Sequence, residues 1–154
     1  MTNSKPPALR ALFIDFDGVL HPTLARGATT YGDGLITTTH FGWVQALEEA
    51  LRGHDDVRLV VHSTWRYQYK KLEELRELLG VLSRLVVGPT PLGPCYESIT
   101  WWLHSNPNFS DYRILDDDPS EFPVAPPLEL IVCNPLTGVS APDVLHALGV
   151  WLRA

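Results

Sequence analysis

Residues 8–20 read ALRALFIDFDGVL, and this stretch decides the fold that we expect for the chain. Its centre is a continuous apolar run, which predicts a buried strand from Ala8 to Phe16. Asp15 and Asp17 stand at the end of this strand, and Gly18 permits a sharp turn directly after them. Two carboxylates that leave a buried strand together can reach one site. Their mutual repulsion there indicates a divalent cation between them.

Spacing alone allows two other interpretations of this aspartate pair. In the simpler one, the two side chains cap a turn and bind no ligand. The other is a Ca²⁺-binding EF-hand loop. That loop fits poorly, because a hydrophobic strand precedes the pair instead of a helix and the further acidic ligands are missing.

The rest of the chain alternates short apolar runs with segments of helical periodicity. Further strands are predicted over 57–61, 84–87, 112–115 and 128–132. Helices are predicted over 41–51, 69–82, 97–104 and after Ser140, which is expected to cap the last one. This alternation predicts an α/β fold with a doubly wound, mainly parallel, five-stranded Rossmann-like sheet. Such sheets bind their ligands at the carboxyl ends of the strands.

Acidic residues also end the fourth predicted strand. Asp118 is expected to cap a short helix whose first residue is Pro119. That role leaves Asp116 and Asp117, which directly follow the apolar strand, to face the first aspartate pair. A group of carboxylate oxygens of this kind suits Mg²⁺.

Residues 62–66, HSTWR, end the second predicted strand. A hydroxyl of Ser63 at this place can hold a phosphate oxygen, helped by backbone N–H groups at the start of the next helix. Arg66 can add charge and a bidentate grip. In the alternative interpretation, Ser63 or Thr64 only caps that helix.

The order of these motifs resembles that of the haloacid-dehalogenase-like (HAD) phosphohydrolase superfamily, from Leu12 to about Leu152. The segment HSTWR, together with PLTGV at 135–139, is similar to a cap-less subgroup found in Swiss Army Knife RNA repair proteins. The resemblance implies a HAD-like fold and an Mg²⁺-dependent phosphatase. In that reaction Asp15 is the nucleophile that forms an aspartyl-phosphate, and Asp17 is the general acid and then the general base.

The motifs and the resemblance together predict a set of site residues. Those expected to act in catalysis are Asp15, Asp17 and Ser63. Those expected to hold Mg²⁺ are Asp15, Asp17 (through its backbone carbonyl), Asp116 and Asp117. Those expected to bind phosphate are Gly18, Ser63, Thr64, Arg66 and Lys70.

One departure from the family pattern concerns positive charge. The family places a Lys or Arg near the start of the helix before the fourth strand, but no Lys or Arg occurs between Arg84 and Arg113. The charge must come from Arg66, Lys70 or Lys71, or it is absent. Its absence defines the alternative function, a catalytically weak or inactive domain that binds a phosphorylated ligand or a protein partner. A phospho-accepting receiver domain fits less well, since no Lys follows the last strand.

The segment from His21 to His40 is expected to form a flap over the site, since it is too short for a cap domain. An open site of this kind admits a phosphorylated small molecule or the end of a polynucleotide. His21 could contact the substrate. The simpler expectation is that it is an exposed histidine of the loop. Residues 1–8 are expected to form a flexible leader and residues 9–154 a single domain.

Composition limits the partners and the compartment. The chain has 12 Lys and Arg against 18 Asp and Glu, a net charge of -6, which argues against an extensive nucleic-acid surface. Its two cysteines form neither a disulfide framework nor a zinc site, as expected for a cytoplasmic protein. The longest apolar runs are far shorter than the roughly 20 residues of a membrane span, so no membrane contact is predicted.

Overall fold

A computed structural model of the chain describes residues 7–22 and 40–154. Its strands are β1 (Leu9–Ile14), β2 (Val57–Val61), β3 (Val86–Pro89), β4 (Phe109–Asp116) and β5 (Leu130–Val132). Its α-helices are α1 (Val44–Leu51), α2 (Leu72–Leu79), α3 (Cys95–Ser105) and α4 (Pro142–Leu152). Short 3-10 helices cover 64–67, 80–85, 119–121 and 138–140. Most of the predicted leader and residues 23–39 of the predicted flap lie outside the described residues.

The five strands form one parallel sheet in the order β3-β2-β1-β4-β5. The central strand β1 is buried on both faces, which explains its continuous apolar sequence. Leu12 and Ile14 pack into a core with α1, α2 and α4, whereas Ala11 and Phe13 pack with α3 on the opposite face. Helices cover both faces, so the predicted doubly wound α/β fold is confirmed.

The direction of the strand order reverses between β1 and β4, the position at which sheets of this kind bind ligands. Ile14 pairs with Leu115, and the N–H of Asp15 donates to the carbonyl oxygen of Leu115 over 3.1 Å. Because the strands are parallel, this register brings Asp15 beside Asp116 where both strands end.

Two helix boundaries differ from the prediction because the backbone turns left-handed. The helix predicted over 41–51 begins only at Val44, since Phe41 has a φ of 58°. The helix predicted over 69–82 begins at Leu72 and ends at Leu79, because the capping residue Gly80 has a φ of 51°, and the chain continues as a 3-10 helix.

Pairing and capping explain the other differences. The strand predicted from 84 begins at Val86 because the 3-10 helix occupies the preceding residues. The fourth strand is longer than predicted, because Phe109 already pairs with Leu9. The prediction that Ser140 caps the last helix is wrong: its hydroxyl donates to the carbonyl oxygen of Thr137, and α4 begins at Pro142. The predicted 97–104 helix and 128–132 strand are α3 and β5, with shifted ends.

None of the helices in the described residues is long and apolar enough to cross a membrane.

Gly138 closes the segment before α4 onto the loop that follows β1. It has a φ of +52°, and a Cβ atom there would lie 2.3 Å from Trp43 Cζ3 and 2.5 Å from the carbonyl oxygen of Val19. The next residue, Val139, donates its N–H to that same carbonyl oxygen over 2.9 Å. Only glycine permits an approach this close.

We therefore expect Gly138→Ala to lower the free energy of unfolding by about 2 to 5 kcal/mol, from backbone strain and overpacking together. Urea unfolding measures the change. Gly53→Ala is the matched control, because Gly53 also has a positive φ but nothing lies within 4 Å of the added Cβ. An equal loss in both variants would show that the close contact with Val19 and Trp43 does not matter.

Candidate functional site

A cavity of about 250 Å³ opens at the carboxyl ends of the central strands. Residues that follow the strands β1 to β4 meet around it, together with the first residue of α3. Its polar and charged lining residues are Asp15, Asp17, His62, Ser63, Thr64, Arg66, Tyr67, Cys95 and Glu121. Five of these nine, namely Asp15, Asp17, Ser63, Thr64 and Arg66, are among the residues that the sequence predicted for the site.

Three carboxylates gather beside this cavity. Oxygen atoms of Asp15, Asp116 and Asp117 all lie within 4.8 Å of one another. Burial, and then the charge of Asp116, raise the pKa of Asp15 well above its ordinary value. The pKa of Asp116, which is only 2% exposed, is raised chiefly by burial as well. The arrangement keeps like charges close together in a poorly solvated place.

These donors fit a magnesium ion. They are all oxygen atoms, and a divalent cation between them would relieve the repulsion among the three carboxylates. Asp118 is engaged elsewhere, since its carboxylate accepts from the N–H of Ser120 over 3.0 Å and Pro119 begins the short helix. The prediction that Asp118 caps this helix is confirmed.

Stability should depend on both pH and metal at this carboxylate group. Without metal, Asp15 and Asp116 bind protons more readily in the folded than in the unfolded chain. The free energy of unfolding is therefore expected to fall as pH rises from about 4, the ordinary aspartate pKa, through the raised folded-state values. Mg²⁺ should reverse this loss, adding about 2.7 kcal/mol when present at about 100 times its Kd.

Thermal unfolding from pH 4 to 8, in EDTA and in MgCl₂, measures this effect. Asp116→Asn should flatten the EDTA profile and remove most of the Mg²⁺ stabilisation. Asp143→Asn, an exposed aspartate in the first turn of α4, should leave both profiles unchanged. Stability that rises with pH in EDTA would contradict the expectation.

Asp17 has different surroundings from Asp15, although only one residue separates them. Its carboxylate lies 2.7 Å from Nε2 of His21 and accepts from Nε1 of Trp65 over 3.2 Å. The hydrogen bond with His21 is the main reason that the pKa of Asp17 is lowered. Its side chain is 45% exposed, so it can exchange a proton with a ligand in the cavity. The predicted metal contact through its backbone carbonyl stays a prediction.

Gly18 forms the turn after this aspartate, with a φ of 77°. Its N–H donates to the carbonyl oxygen of His21 over 2.8 Å and is thus used within the turn. Gly18 does not line the cavity, so its predicted contact with phosphate has no support from its position.

Ser63 caps the short helix, as one of the two interpretations predicted, and its contact with phosphate stays a prediction. It is buried, its Oγ accepts from the N–H of Trp65 over 3.2 Å, and it caps the 3-10 helix that begins at Thr64. It also lines the cavity, as does the exposed Thr64. Capping uses the oxygen of Ser63 as an acceptor, so its O–H can still donate to a ligand.

Arg66 brings positive charge into the cavity. It is only 4% exposed, Nη1 donates to the carbonyl oxygen of Ser63 over 2.8 Å, and Nη2 donates to that of Gly93 over 3.4 Å. Its Nε is buried and has no hydrogen-bond partner among the described residues. Burial is the main reason that the pKa of Arg66 is lowered, and attraction to Asp15 is one of the influences that oppose it.

The two lysines that the sequence offered as alternative cations lie elsewhere. Lys70 and Lys71 are both exposed, and neither lines the cavity. The structure thus brings Arg66, but not Lys70, to the other predicted site residues.

A buried histidine and a cysteine complete the wall, and neither is among the site residues that the sequence predicted. His62 has Nδ1 2.9 Å from Oγ1 of Thr90 and Nε2 3.0 Å from Sγ of Cys95, the first residue of α3. Burial, aided by Arg66, lowers the pKa of His62 to about 3, so the ring is neutral at physiological pH. Burial and then Asp116 raise the pKa of the Cys95 thiol, which keeps it protonated. The position of His62 directly after a predicted strand is the sequence feature that could have identified it as a residue of the cavity wall.

Comparison with known families agrees with this geometry. The sequence matches the family described as the HAD domain in Swiss Army Knife RNA repair proteins over residues 11–144. The chain belongs to this HAD family. The match extends from β1 into α4, so it includes every predicted catalytic and metal-binding residue. The resemblance inferred from the sequence is confirmed.

Family membership also indicates the general chemistry. HAD domains are generally hydrolases of the phosphatase type, and they typically use Mg²⁺, which the group of carboxylates could hold. No curated protein and no solved structure matches the chain.

Proposed function

We propose that the protein is an Mg²⁺-dependent phosphomonoester hydrolase that acts through an aspartyl-phosphate on Asp15. The observation that carries this proposal is the buried Arg66, which lines one cavity together with Asp15 and Asp17. The helix before β4 lacks the cation expected in this family, and Arg66 supplies a positive charge to the same space. The alternative function, binding of a phosphorylated ligand without turnover, assumes that the site has no such positive charge, so the position of Arg66 favours the phosphatase.

Arg66 and Ser63 are the groups that would hold the phosphoryl oxygens. Two of the guanidinium nitrogens of Arg66 donate to backbone carbonyls, which fixes the plane of the group. A guanidinium group has five N–H donors and these two bonds use only two of them, so Arg66 keeps donors for a phosphoryl oxygen in the cavity that it lines. The Ser63 hydroxyl can donate a further hydrogen bond from the neighbouring strand end.

The reaction then proceeds in two steps. In the first, a carboxylate oxygen of Asp15 attacks phosphorus, the bond from phosphorus to the leaving oxygen breaks, and Asp17 gives its proton to that oxygen. In the second, Asp17 takes a proton from a water molecule that attacks the same phosphorus, which releases phosphate and restores Asp15. Bound at Asp15, Asp116 and Asp117, Mg²⁺ would supply positive charge that stabilises the transferring phosphoryl group.

An aromatic-sided depression favours a nucleotide as the carrier of the phosphate. It has a volume of about 450 Å³, adjoins the cavity through Thr64 and Tyr67, and continues along Trp65 and Tyr69. Tyr67 is the exposed ring of this depression, whereas Trp65 and Tyr69 are half-buried, and an exposed aromatic face can bind a nucleobase by stacking with little preference among bases. We therefore propose nucleotides or the phosphorylated ends of nucleic acids as substrates, in keeping with the RNA repair proteins in the family description. The net charge of -6 limits the contact to such an end.

A phosphate-release assay tests the proposal. The substrates are p-nitrophenyl phosphate, glycerol phosphate, nucleoside 3′- and 5′-monophosphates, and oligonucleotides with a 3′- or 5′-phosphate, each in MgCl₂ and in EDTA. We expect release in MgCl₂ only, with a higher kcat/KM for the nucleotide substrates than for glycerol phosphate. Thermal stabilisation by phosphate without turnover of any substrate would instead support the non-catalytic alternative.

A further inference from the structure

His21 is buried against the proposed general acid. Only 1% of its side chain is exposed, so the expectation of an exposed loop histidine is wrong. Its Nε2 lies 2.7 Å from Oδ1 of Asp17, at the far side of the tight turn that Gly18 permits. The ring therefore does not reach substrate directly, and its contact is with Asp17.

The backbone determines which nitrogen of His21 carries the hydrogen. The N–H of Phe41 donates to Nδ1 of His21 over 3.2 Å, so Nδ1 must be the acceptor nitrogen. In the neutral ring the hydrogen is then on Nε2, which donates to Asp17. Phe41 presents this N–H from a left-handed backbone conformation, with a φ of 58°, which is uncommon for a bulky residue.

Aromatic packing holds that unusual backbone in place. The ring of Phe41 lies 5.0 Å from the ring of His21, 5.1 Å from that of Phe16 and 5.3 Å from that of Trp65. Trp65 has a second role, since its Nε1–H donates to Oδ2 of Asp17 over 3.2 Å. Each oxygen of the carboxyl group thus meets one ring N–H, and the plane of the group is fixed.

We propose that His21 is a positioning residue, which holds the carboxyl group of Asp17 in the orientation required for proton transfer to the leaving group. This inference rests on the proposed phosphatase function. The bond from His21 to Oδ1 is shorter than the bond from Trp65 to Oδ2, so we assign to Oδ2 the proton given to the leaving oxygen. Phe41 occupies Nδ1, which prevents the ring from turning away or adopting the other tautomer.

Leaving-group dependence separates this role from a merely structural one. Phenolate leaves poorly and needs a proton, whereas p-nitrophenolate leaves without one. We expect His21→Leu to lower kcat/KM for phenyl phosphate by about 10²-fold, as for the loss of general acid catalysis, and for p-nitrophenyl phosphate by less than about 5-fold. His21→Gln, which keeps a side-chain N–H donor, should recover most of the activity on phenyl phosphate.

His40→Leu is the matched control. The ring of His40 packs 4.9 Å from that of His21, but no hydrogen bond joins it to Asp17 in the described residues. This variant should leave the ratio of the two kcat/KM values unchanged. Retained p-nitrophenyl phosphate activity in His21→Leu shows that the variant folds. Equal losses on both esters, with no recovery in His21→Gln, would overturn the inference.

Nitrogen NMR of the unmodified protein distinguishes failure of this inference from failure of the proposed function. If the protein hydrolyses neither ester, the proposed function fails, and the tautomer of His21 still tests the arrangement. With signals assigned by their loss in His21→Gln, we expect a bare Nδ1 and a protonated Nε2 whose resonance shifts in Asp17→Leu. The opposite tautomer, or a resonance that does not respond to Asp17→Leu, would overturn the inference.

Discussion

Replacing Asp15 with asparagine should abolish Mg²⁺-dependent phosphate release, lowering kcat by at least about 10³-fold. The variant removes the attacking oxygen anion and one of the three carboxylates that could hold the metal. The chain should still fold, because the neutral amide is nearly the same size and relieves the repulsion from Asp116 that raises the pKa of Asp15. The loss therefore reports on chemistry and not on stability.

Phosphate release and covalent labelling together check this result. Asp55→Asn is the matched control, since Asp55 is exposed before β2, at the opposite end of the sheet. Acid quenching during turnover of a phosphoryl-labelled ester should leave label on the unmodified protein and on Asp55→Asn, but not on Asp15→Asn. Hydrolysis that survives in Asp15→Asn, or label that appears on it, would refute the nucleophilic role.

Arg66→Met should have the second largest effect, lowering kcat/KM by about 10²- to 10³-fold, as for the loss of one charged donor to a transition state. Methionine keeps much of the apolar stem but removes the fork that reaches into the cavity. The affinity for inorganic phosphate as an inhibitor should fall in parallel. Arg66→Lys should recover part of the loss, because a lysine restores the charge without the fixed plane of donors.

Two further variants make the test specific. Lys70→Met tests the other cation that the sequence predicted for the site. Because Lys70 is exposed and lies outside the cavity, we expect little change in kcat/KM. Arg84→Met removes an exposed charge from the 3-10 helix before β3 and serves as the control for net charge. A loss in Lys70→Met that equals the loss in Arg66→Met would contradict the assignment of Arg66.

The parts of the fold and site that depend on local pattern could be predicted from the sequence. The apolar run of β1 required a strand buried on both faces, and strand ends in a parallel sheet meet at one edge, which brought Asp15 and Asp116 together. The cap at Asp118 was predictable for the same local reason, because Pro119 suits the first position of a helix.

The remaining features depend on contacts that local pattern does not encode. Arg66 could not be distinguished from Lys70 by spacing, because the choice depends on carbonyl groups of Ser63 and Gly93 that fix the guanidinium group. The role of His21 depends on the backbone of Phe41, 20 residues later in the sequence. The left-handed backbone of Phe41 also explains why α1 begins later than predicted. One backbone angle that the sequence did not predict therefore accounts for both the start of α1 and the position of His21.

The central position of β1 in the sheet also determines the order in which the strands can pair during synthesis. On a ribosome, β1 can pair with β2 soon after both emerge, but its other edge waits until α3 has been made and β4 follows. During that interval an apolar strand has an unpaired edge, which invites pairing with other chains. The carboxylate group is also incomplete until Asp116 is made, so the nascent chain brings together the carboxylates that could hold a metal only at the step that completes the pairing of β1.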